Sequence, residues 1–411
     1  MMMQLERIAA SWLRTRRAMS RNAQDLAKHR RRLWADLQPA LARTPALAPF
    51  AGAPLEAFPV TPVHSMRQDY GAWNSLSLSD EALRRLADAA EMEPQTAGLS
   101  AGWSTGSSGA TRGLFVATAA ERADYIGQSL ARLLPFSALL RSQRLALHLR
   151  ASNALYSDAA RRRLRFAHFP IELAVCDSAK ALQDYAPTIL IAPPSRLIGL
   201  ACLGATLPTL RHLFFGSEPM SSGERDLVTA HFGIRPRSIW QATEGFLGAE
   251  CAAGRLHLND HALEIEPEPV TGTRGFRPVI TDLRRHSQPI VRIIGDDYVE
   301  WGEQNCPCGF AGRVVRPVEG RVQDIWRFGG NCITPPQVIA AVESVLTPQH
   351  QWQASADRHG ISLAVGSLCP SDRAAQAATV LERLVGRKPV VRHDLPDWHG
   401  PKRRKVVWRD G

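Results

Sequence analysis

Apolar positions recur at helical spacing along the first forty residues. Leu5, Ile8 and Trp12 share one face, Leu26, Leu33 and Leu37 share another, and Arg fills the remaining faces. The pattern predicts two helices over 4–43. Residues 44–63, rich in Pro and Ala, read as an extended connection, and a helix capped by Ser79 or Asp80 is predicted over 80–91. From residue 103 short apolar runs alternate with helical periods. Strands are predicted at 113–117, 144–149, 171–175, 188–192, 211–215 and 237–240, with helices at 119–134, 195–204 and 220–232. That alternation predicts an α/β domain around a largely parallel sheet. Residues 255–301 read as β-rich, with turns near Thr271-Gly272 and at Gly295. The texture changes near Gly320. Strand-like and helical pieces then alternate over 325–409, enough for a small α+β domain. There is no internal repeat and no low-complexity tract.

Composition narrows the class. The chain has 411 residues, 45% hydrophobic and 22% charged, which excludes wholesale disorder. Its formal net charge of +11 raises the question of a polyanionic partner. The excess sits at the two ends. Residues 1–43 carry ten Lys or Arg against three Asp or Glu, and residues 402–411 carry five against one. The middle, 44–401, balances with 35 of each sign, so no large nucleic-acid-binding face is required. Cysteines stand at 176, 202, 251, 306, 308, 332 and 369, an odd and sparse set unlike a secreted disulfide framework. The N-terminus lacks the unbroken apolar core of a signal peptide. The longest apolar run, about 189–207, is broken by Pro193, Pro194 and Arg196. The expectation is a cytoplasmic protein with no membrane insertion.

Six segments carry candidate chemistry. Ser104-Thr-Gly-Ser-Ser-Gly-Ala-Thr-Arg-Gly113 packs hydroxyls and glycines, with Arg112, into ten residues. Such a loop lets the backbone approach a polyanion, although it lacks the Gly-Lys-Ser/Thr ending of a Walker A loop. Phe215-Gly-Ser-Glu-Pro219 and Trp240-Gln-Ala-Thr-Glu-Gly245 each follow a predicted strand, the place where ligands collect on α/β sheets. Trp240 offers an aromatic face and Glu244 a ligand for a hard cation. Pro289-Ile-Val-Arg-Ile-Ile-Gly-Asp296 ends in a carboxylate able to accept bonds from vicinal hydroxyls. Gly320-Arg-Val-Gln-Asp-Ile-Trp326 and Gly400-Pro-Lys-Arg-Arg-Lys405 complete the set.

In this order and spacing the segments resemble the adenylate-forming (acyl-CoA synthetase-like) superfamily, in its phenylacetate–CoA ligase and coenzyme F390 synthetase-related branch. The resemblance covers about residues 100–411. It implies a large adenylate-forming α/β domain over 1–319, with a helical extension at 1–60, and a small mobile α+β domain over 320–411, hinged near Gly320. It implies ATP-dependent activation of a carboxylic acid, with an aromatic acid as the default, followed by transfer to a thiol of CoA or of an acyl-carrier protein. It also implies Mg²⁺. By the same resemblance Ser104, Thr105, Gly106, Ser107, Ser108, Gly109 and Arg112 would hold the β- and γ-phosphates. Gly216, Ser217, Glu218 and Trp240 would line the adenine site. Thr243 would reach the α-phosphate, Glu244 the Mg²⁺ and Asp296 the ribose, with Arg321 nearby.

Some positions depart from the family pattern. The loop carries Thr111-Arg112 where relatives carry Pro-Lys. The hinge has Gln323 where Asp or Lys is usual, and the terminal segment lacks Ser-Gly-Lys. Lys402 is the first choice for the adenylation lysine and Lys405 the second. An alternative reading follows from these departures: a catalytically weakened relative acting as a nucleotide- or carrier-protein-binding module. His148, Asn153, Tyr156 and Phe214 are the expected acid-pocket residues. Cys251, His257, Cys306 and Cys308 form a Cys₃His set suited to structural zinc, with free thiols in a turn as the other reading. A homodimer is compatible with the sequence.

Overall fold

The computed structural model describes residues 2–92, 98–104, 112–149, 164–395 and 404–409. Two helices open the chain, α1 (Met2–Met19) and α2 (Ala23–Ala42), the second capped by Asn22, whose side chain accepts from the Asp25 amide. The Pro-rich connection holds single helical turns at Ala48–Phe50 and Leu55–Ala57. A two-residue strand β1 (Thr61–Pro62) continues the extended connection, and helix α3 (Val63–Gln68) follows it. Helix α4 (Asp80–Met92) leads to the hairpin of β2 (Ser100–Trp103) and β3 (Leu114–Ala117).

The α/β body runs through α5 (Ala119–Leu133), α6 (Phe136–Leu139), β4 (Gln143–Leu149), β5 (Leu164–Pro170), α7 (Val175–Tyr185), β6 (Ile189–Ala192), α8 (Pro194–Cys202), β7 (His212–Phe215), α9 (Ser222–Phe232) and β8 (Arg237–Ala242). The strand expected at 171–175 is absent. The apolar residues after Pro170 form a turn that leads into α7, whose buried face is Ser178, Ala179 and Leu182. The apolar run alone does not separate a strand from a helix entrance. Antiparallel strands then follow: β9 (Gly245–Glu250), β10 (Leu256–Leu258), β11 (Leu263–Pro269), β12 (Phe276–Asp282), β13 (Ile290–Ile294) and β14 (Val314–Val315).

The main sheet has eight strands in the order β14-β10-β9-β8-β7-β6-β4-β5. It is parallel from β5 to β8 and antiparallel beyond. A second sheet has the order β1-β13-β12-β11. The principal core joins the helical N-terminal segment to this body through Leu37, Tyr70, Trp240, Ile290 and Ile293, all buried. A separate core underlies the C-terminal lobe. It is built from Trp326, Val338, Trp352, Leu363 and Leu381, carried by β15 (Trp326–Phe328), β16 (Asn331–Ile333), α10 (Pro335–Glu343), β17 (Trp352–Ala356), β18 (Ile361–Val365) and α11 (Ser371–Val385). Its sheet has the order β19-β18-β17-β20, with β19 (Val390–Arg392) and β20 (Val406–Trp408) at the edges. No helix among the described residues is long and apolar enough to cross a membrane.

Helix α1 packs on α5 at close range. A Cβ on Gly127 would strike the Ile8 carbonyl and stand 2.7 Å from the Ser11 side chain. Asp124 on α5 ties the contact, accepting from Arg14 at 2.7 Å and Arg284 at 2.6 Å. Gly127→Val would therefore pry α1 off the body, at about 1–3 kcal/mol for an overpacked contact. The expected result is early proteolysis at the α1–α2 junction while the α/β body stays resistant.

Candidate active site

The carboxyl ends of the parallel strands collect the chemistry. Pro193 follows β6, Gly216-Ser217-Glu218 follows β7, and Thr243-Glu244 follows β8, along one edge of the sheet. Gly216 lies flat on β8, where a Cβ would sit 3.0 Å from the Ile239 carbonyl, and Ser217 takes φ +70°. Glu218 is buried. It accepts from the Ser195 amide at 3.2 Å and the Ser195 hydroxyl at 3.1 Å, in the first turn of α8. The carboxylate therefore anchors this loop to a helix N-terminus.

The glycine-rich segment meets Thr243 directly. Its neck is closed by two bonds, Ser104 N–H to Gly113 O at 2.7 Å and Gly113 N–H to Ser104 Oγ at 2.9 Å. A Cβ on Gly113 would stand 2.6 Å from Thr243 Oγ1, so any side chain there would force Thr243 to shift. Arg112 donates to Ser104 O at 3.0 Å and to Glu91 at 2.5 Å. Its guanidinium is thus held on α4 in this state. Thr105, Gly106, Ser107, Ser108 and Gly109 lie outside the described residues.

Glu244 is buried, and its Oε1 has no hydrogen-bond partner. The nearest cation is the Arg67 guanidinium at 3.8 Å. Burial raises the Glu244 pKa, with Arg67 and Arg285 opposing the rise. An orphaned buried carboxylate oxygen at a strand end suits a hard cation. Around it stand groups that the sequence reading missed. Tyr70 Oη accepts from the Leu114 amide at 2.8 Å, Arg285 donates to Thr243 O at 2.6 Å, and Gln288 bridges Leu114 O and the Val116 amide, each at 3.1 Å. None lies in a segment rich in glycine or hydroxyls, so composition gave no signal for them. Asp297 is another, and its place beside Asp296 was a usable signal.

Trp240 is buried and donates from Nε1 to Asp297 Oδ2 at 2.8 Å. Asp296 stays half exposed, paired with Arg277 at 3.0 Å. Its carbonyl accepts from Val322 at 2.9 Å, and Asp297 forms a β-bridge with Arg321, so these residues abut the hinge. Gly320 packs so closely on Pro335 that a Cβ would collide with the ring.

Two expected acid-pocket residues lie within the packing layers. His148 on β4 is fully buried, with Nε2 3.1 Å from Ser178 Oγ on α7. Burial, helped by Arg196, pushes its pKa down to about 3, which keeps the ring neutral. Phe214 is also fully buried, with the Arg237 guanidinium 4.6 Å from its ring centre. Asn153, Tyr156 and Lys402 lie outside the described residues. Lys405 is buried between the lobes, its Nζ 2.8 Å from Glu224 on α9 and also paired with Glu343 on α10.

The Cys₃His set is assembled. The donor atoms of Cys251, His257, Cys306 and Cys308 all lie within 4.8 Å of one another. Cys251 and Cys306 sulfurs are 3.6 Å apart, and Cys308 Sγ is 3.4 Å from His257 Nε2. Thiolates bound at about 2.3 Å in a tetrahedron stand roughly 3.8 Å apart. His257 Nδ1 lies 2.7 Å from Gly312 O and donates to it, which leaves Nε2 free as a ligand.

No model of a known protein family matches the chain. Over 196 residues it is 24% identical to a phenylacetate–coenzyme A ligase of Thermus thermophilus, covering 44% of this chain and 44% of that protein. The chain thus matches less than half the length of this relative. Among solved structures, 2-hydroxyisobutyryl-CoA ligase in the post-adenylation state with 2-HIB-AMP superposes at TM-score 0.70 and 18% identity, covering 96% of this chain and 91% of the other. An open conformation of that ligase, with 2-HIB-AMP and CoA, superposes at TM-score 0.52 and 18% identity. An anthranilate CoA ligase with anthranoyl-AMP gives TM-score 0.55 at 11% identity over 73% of this chain and 64% of the other. The fold is shared with these ligases, a large N-terminal and a small C-terminal domain. The sequence likeness, over less than half of the chain, is to a phenylacetate–coenzyme A ligase.

The lobe contact carries a titratable group. Burial, then Glu343 and Glu300, push the Glu319 pKa up from 4.5 to about 7, against the pull of Lys405 and Arg316. The docked arrangement therefore favours protonated Glu319. Its contribution is present below the ordinary carboxylate range and is lost as pH rises through about 7. Docking of the C-terminal lobe, followed by scattering or by a fluorophore pair across the hinge, should weaken as pH rises from about 4.5 to about 7 and level off above that. Glu319→Gln should flatten that dependence.

Proposed function

We propose that this chain is an ATP-dependent acid–thiol ligase. A carboxylate oxygen attacks the α-phosphorus of ATP, and pyrophosphate leaves with the electrons of the broken P–O bond, giving an acyl-adenylate. A thiolate then attacks the acyl carbonyl and AMP leaves. The observation that carries this reading is the contact between Gly113 and Thr243 at the strand edge, beside the orphaned oxygen of buried Glu244. In this reading it would join the neck of the phosphate loop to the residue that meets the α-phosphate, in a fold shared with adenylate-forming ligases.

The roles divide by chemistry. Thr243 and the loop amides would hold phosphate oxygens, where aligned donors stabilise the charge of the transition state. Glu244 would hold Mg²⁺, which supplies further charge neutralisation when bound. Half-exposed Asp296 would accept the ribose hydroxyls at the hinge. The attacking carboxylate is ionised at neutral pH, so the site requires no general base. Lys405 is spent on two carboxylates, which supports Lys402 as the adenylation lysine. A panel of aryl, hydroxyaryl and fatty acids, with ATP, Mg²⁺ and hydroxylamine trapping, tests this. At least one acid, with an aromatic acid first, should give hydroxamate. Lys402→Ala should lower the rate by about 10²–10³, the usual loss for one such donor, while Lys405→Ala should spare adenylation. Measurable ATP binding with no hydroxamate from any acid would instead favour the binding-module reading, which the engagement of Arg112 by Glu91 supports.

The acceptor is a thiol of CoA or of a carrier protein. The Cys₃His cluster is a closed structural zinc site in this proposal, pinning the β9–β10 turn to the 306–312 loop. Metal analysis of purified protein should find about one zinc per chain, as a four-ligand structural site requires. Seven freely titrating thiols without zinc would refute it.

A further inference from the structure

The described residues expected to hold the acid, His148 and Phe214, are fully buried in packing layers and leave it no room. A pocket of about 130 Å³ opens elsewhere, between β3, α5, the β8–β9 junction and the end of β12. Thr243 is part of its wall, so the pocket reaches the strand edge where the phosphates would lie. Phe115, Tyr125, Phe246 and Leu263 give it apolar sides, with the rings of Tyr125 and Phe246 6.2 Å apart between centres. An apolar cavity of about 150 Å³ takes one benzene. The space here therefore suits a single ring and is too small for a fatty chain.

The charges of the pocket cancel. Glu121, Asp124 and Asp282 face Arg122, Arg284 and Arg285, three of each sign, so nothing there invites a second anion. Most of these groups are already committed. Glu121 accepts from the His286 and Ser287 amides, and Asp124 accepts from Arg284 at 2.6 Å. Arg285 donates to Thr243 O at 2.6 Å, and Arg122 donates to Gly98 O and to the Ser100 hydroxyl, each at 2.9 Å. Asp282 differs. Its Oδ1 accepts from the Arg284 amide at 2.9 Å, and among the described residues no hydrogen bond or ion pair reaches Oδ2. Burial pushes the Asp282 pKa up to about 6, which leaves it mostly ionised at neutral pH.

Gly245 leaves that oxygen within reach. A Cβ there would stand 3.2 Å from Asp282 Oδ2. Gly245 also lies two residues beyond Thr243, at most roughly 7 Å along the backbone. A ring acid with its carboxylate at Thr243 thus carries its far substituent toward Asp282. A carboxylate oxygen facing an apolar pocket is stabilised by a donor, and a plain ring would leave it unmet. We propose that Asp282 selects a single-ring aromatic acid that bears a hydroxyl or amino donor on the ring edge away from its carboxylate. The inference rests on the ligase reading, and it narrows the aromatic default to a donor-bearing ring.

The test is calorimetric titration of the whole protein with meta- and para-hydroxybenzoate, the matching aminobenzoates, unsubstituted benzoate and decanoate. At least one donor-bearing ring should bind about tenfold or more tighter than benzoate, with decanoate weaker than both. Asp282→Leu, close in size but without an acceptor, should bring the ratio between substituted and plain rings to about one. Asp282→Asn keeps a carbonyl acceptor and should retain part of the preference. It also serves if the leucine variant does not fold. Where an acid turns over, the same ratio should appear in kcat/KM for hydroxamate formation. Equal binding of substituted and plain rings by wild type, tighter binding of decanoate, or no binding of any ring acid would overturn the proposal. So would an undiminished preference in either folded variant. The titration needs no turnover. A donor preference without hydroxamate from any acid would sink the ligase reading alone, and hydroxamate from rings of equal affinity would sink this inference alone.

Discussion

Gly113 rests on Thr243 with no room for a side chain between them. That steric requirement organises the proposed site. It brings the neck of the glycine-rich loop onto the end of β8, and the rest of the hairpin is then clamped from both sides. Tyr70 holds the Leu114 amide, and Gln288 holds Leu114 and Val116. These clamps come from α3's C-terminal side and from the segment before β13, far apart in sequence. Many chain segments must be in place before the loop can be, so the site is a product of the whole N-terminal body.

The second organising device is the enclosed acid that serves hydrogen-bond donors, amide, hydroxyl or guanidinium. Glu121 accepts from the His286 amide at 2.8 Å and the Ser287 amide at 2.7 Å. Glu218 holds a helix start, and Glu250 and Glu300 each hold two arginines. A buried carboxylate is costly unless its oxygens are satisfied. Here the satisfaction is supplied by groups that thereby become fixed in direction. Glu244 breaks the rule at the strand edge, with one oxygen unmet. Against neighbours whose oxygens are engaged, that exception is why it stands out as a cation ligand.

Much of this was legible from residue pattern. The helical spacing at 4–43 and the alternation after 103 correspond to α1, α2 and the parallel strands β4, β6, β7 and β8, while β5 at Leu164–Pro170 was not expected. The run at 171–175 misled, because Ile171-Glu-Leu-Ala174, apolar but for Glu172, alternates between Pro170 and a helix as a short strand does. The functional segments were legible as segments, since glycine and hydroxyl clusters leave a local trace. Their supports were not: Arg67, Tyr70, Arg285 and Gln288 act through tertiary contacts that no local window shows. Burial of His148 was equally invisible, since one polar residue in a strand reads alike on either face. The Cys₃His spacing was visible, but its closure depends on the β9–β10 turn meeting a loop some 50 residues later.

The contact between the lobes has a reciprocal side. Lys405 answers Glu224 and Glu343, and the enclosure of Glu319 beside them raises its pKa to about 7. In the proposed cycle the lobes separate and come together, so Glu319 moves between this enclosure and water. Lobe position and proton binding then become linked equilibria, and linkage runs both ways. Whatever draws the lobes together, a bound adenylate included, also draws a proton out of solvent. In that proposed cycle, whatever removes the proton would loosen the closed arrangement, so the acidity of the surroundings would act on it as a further ligand does.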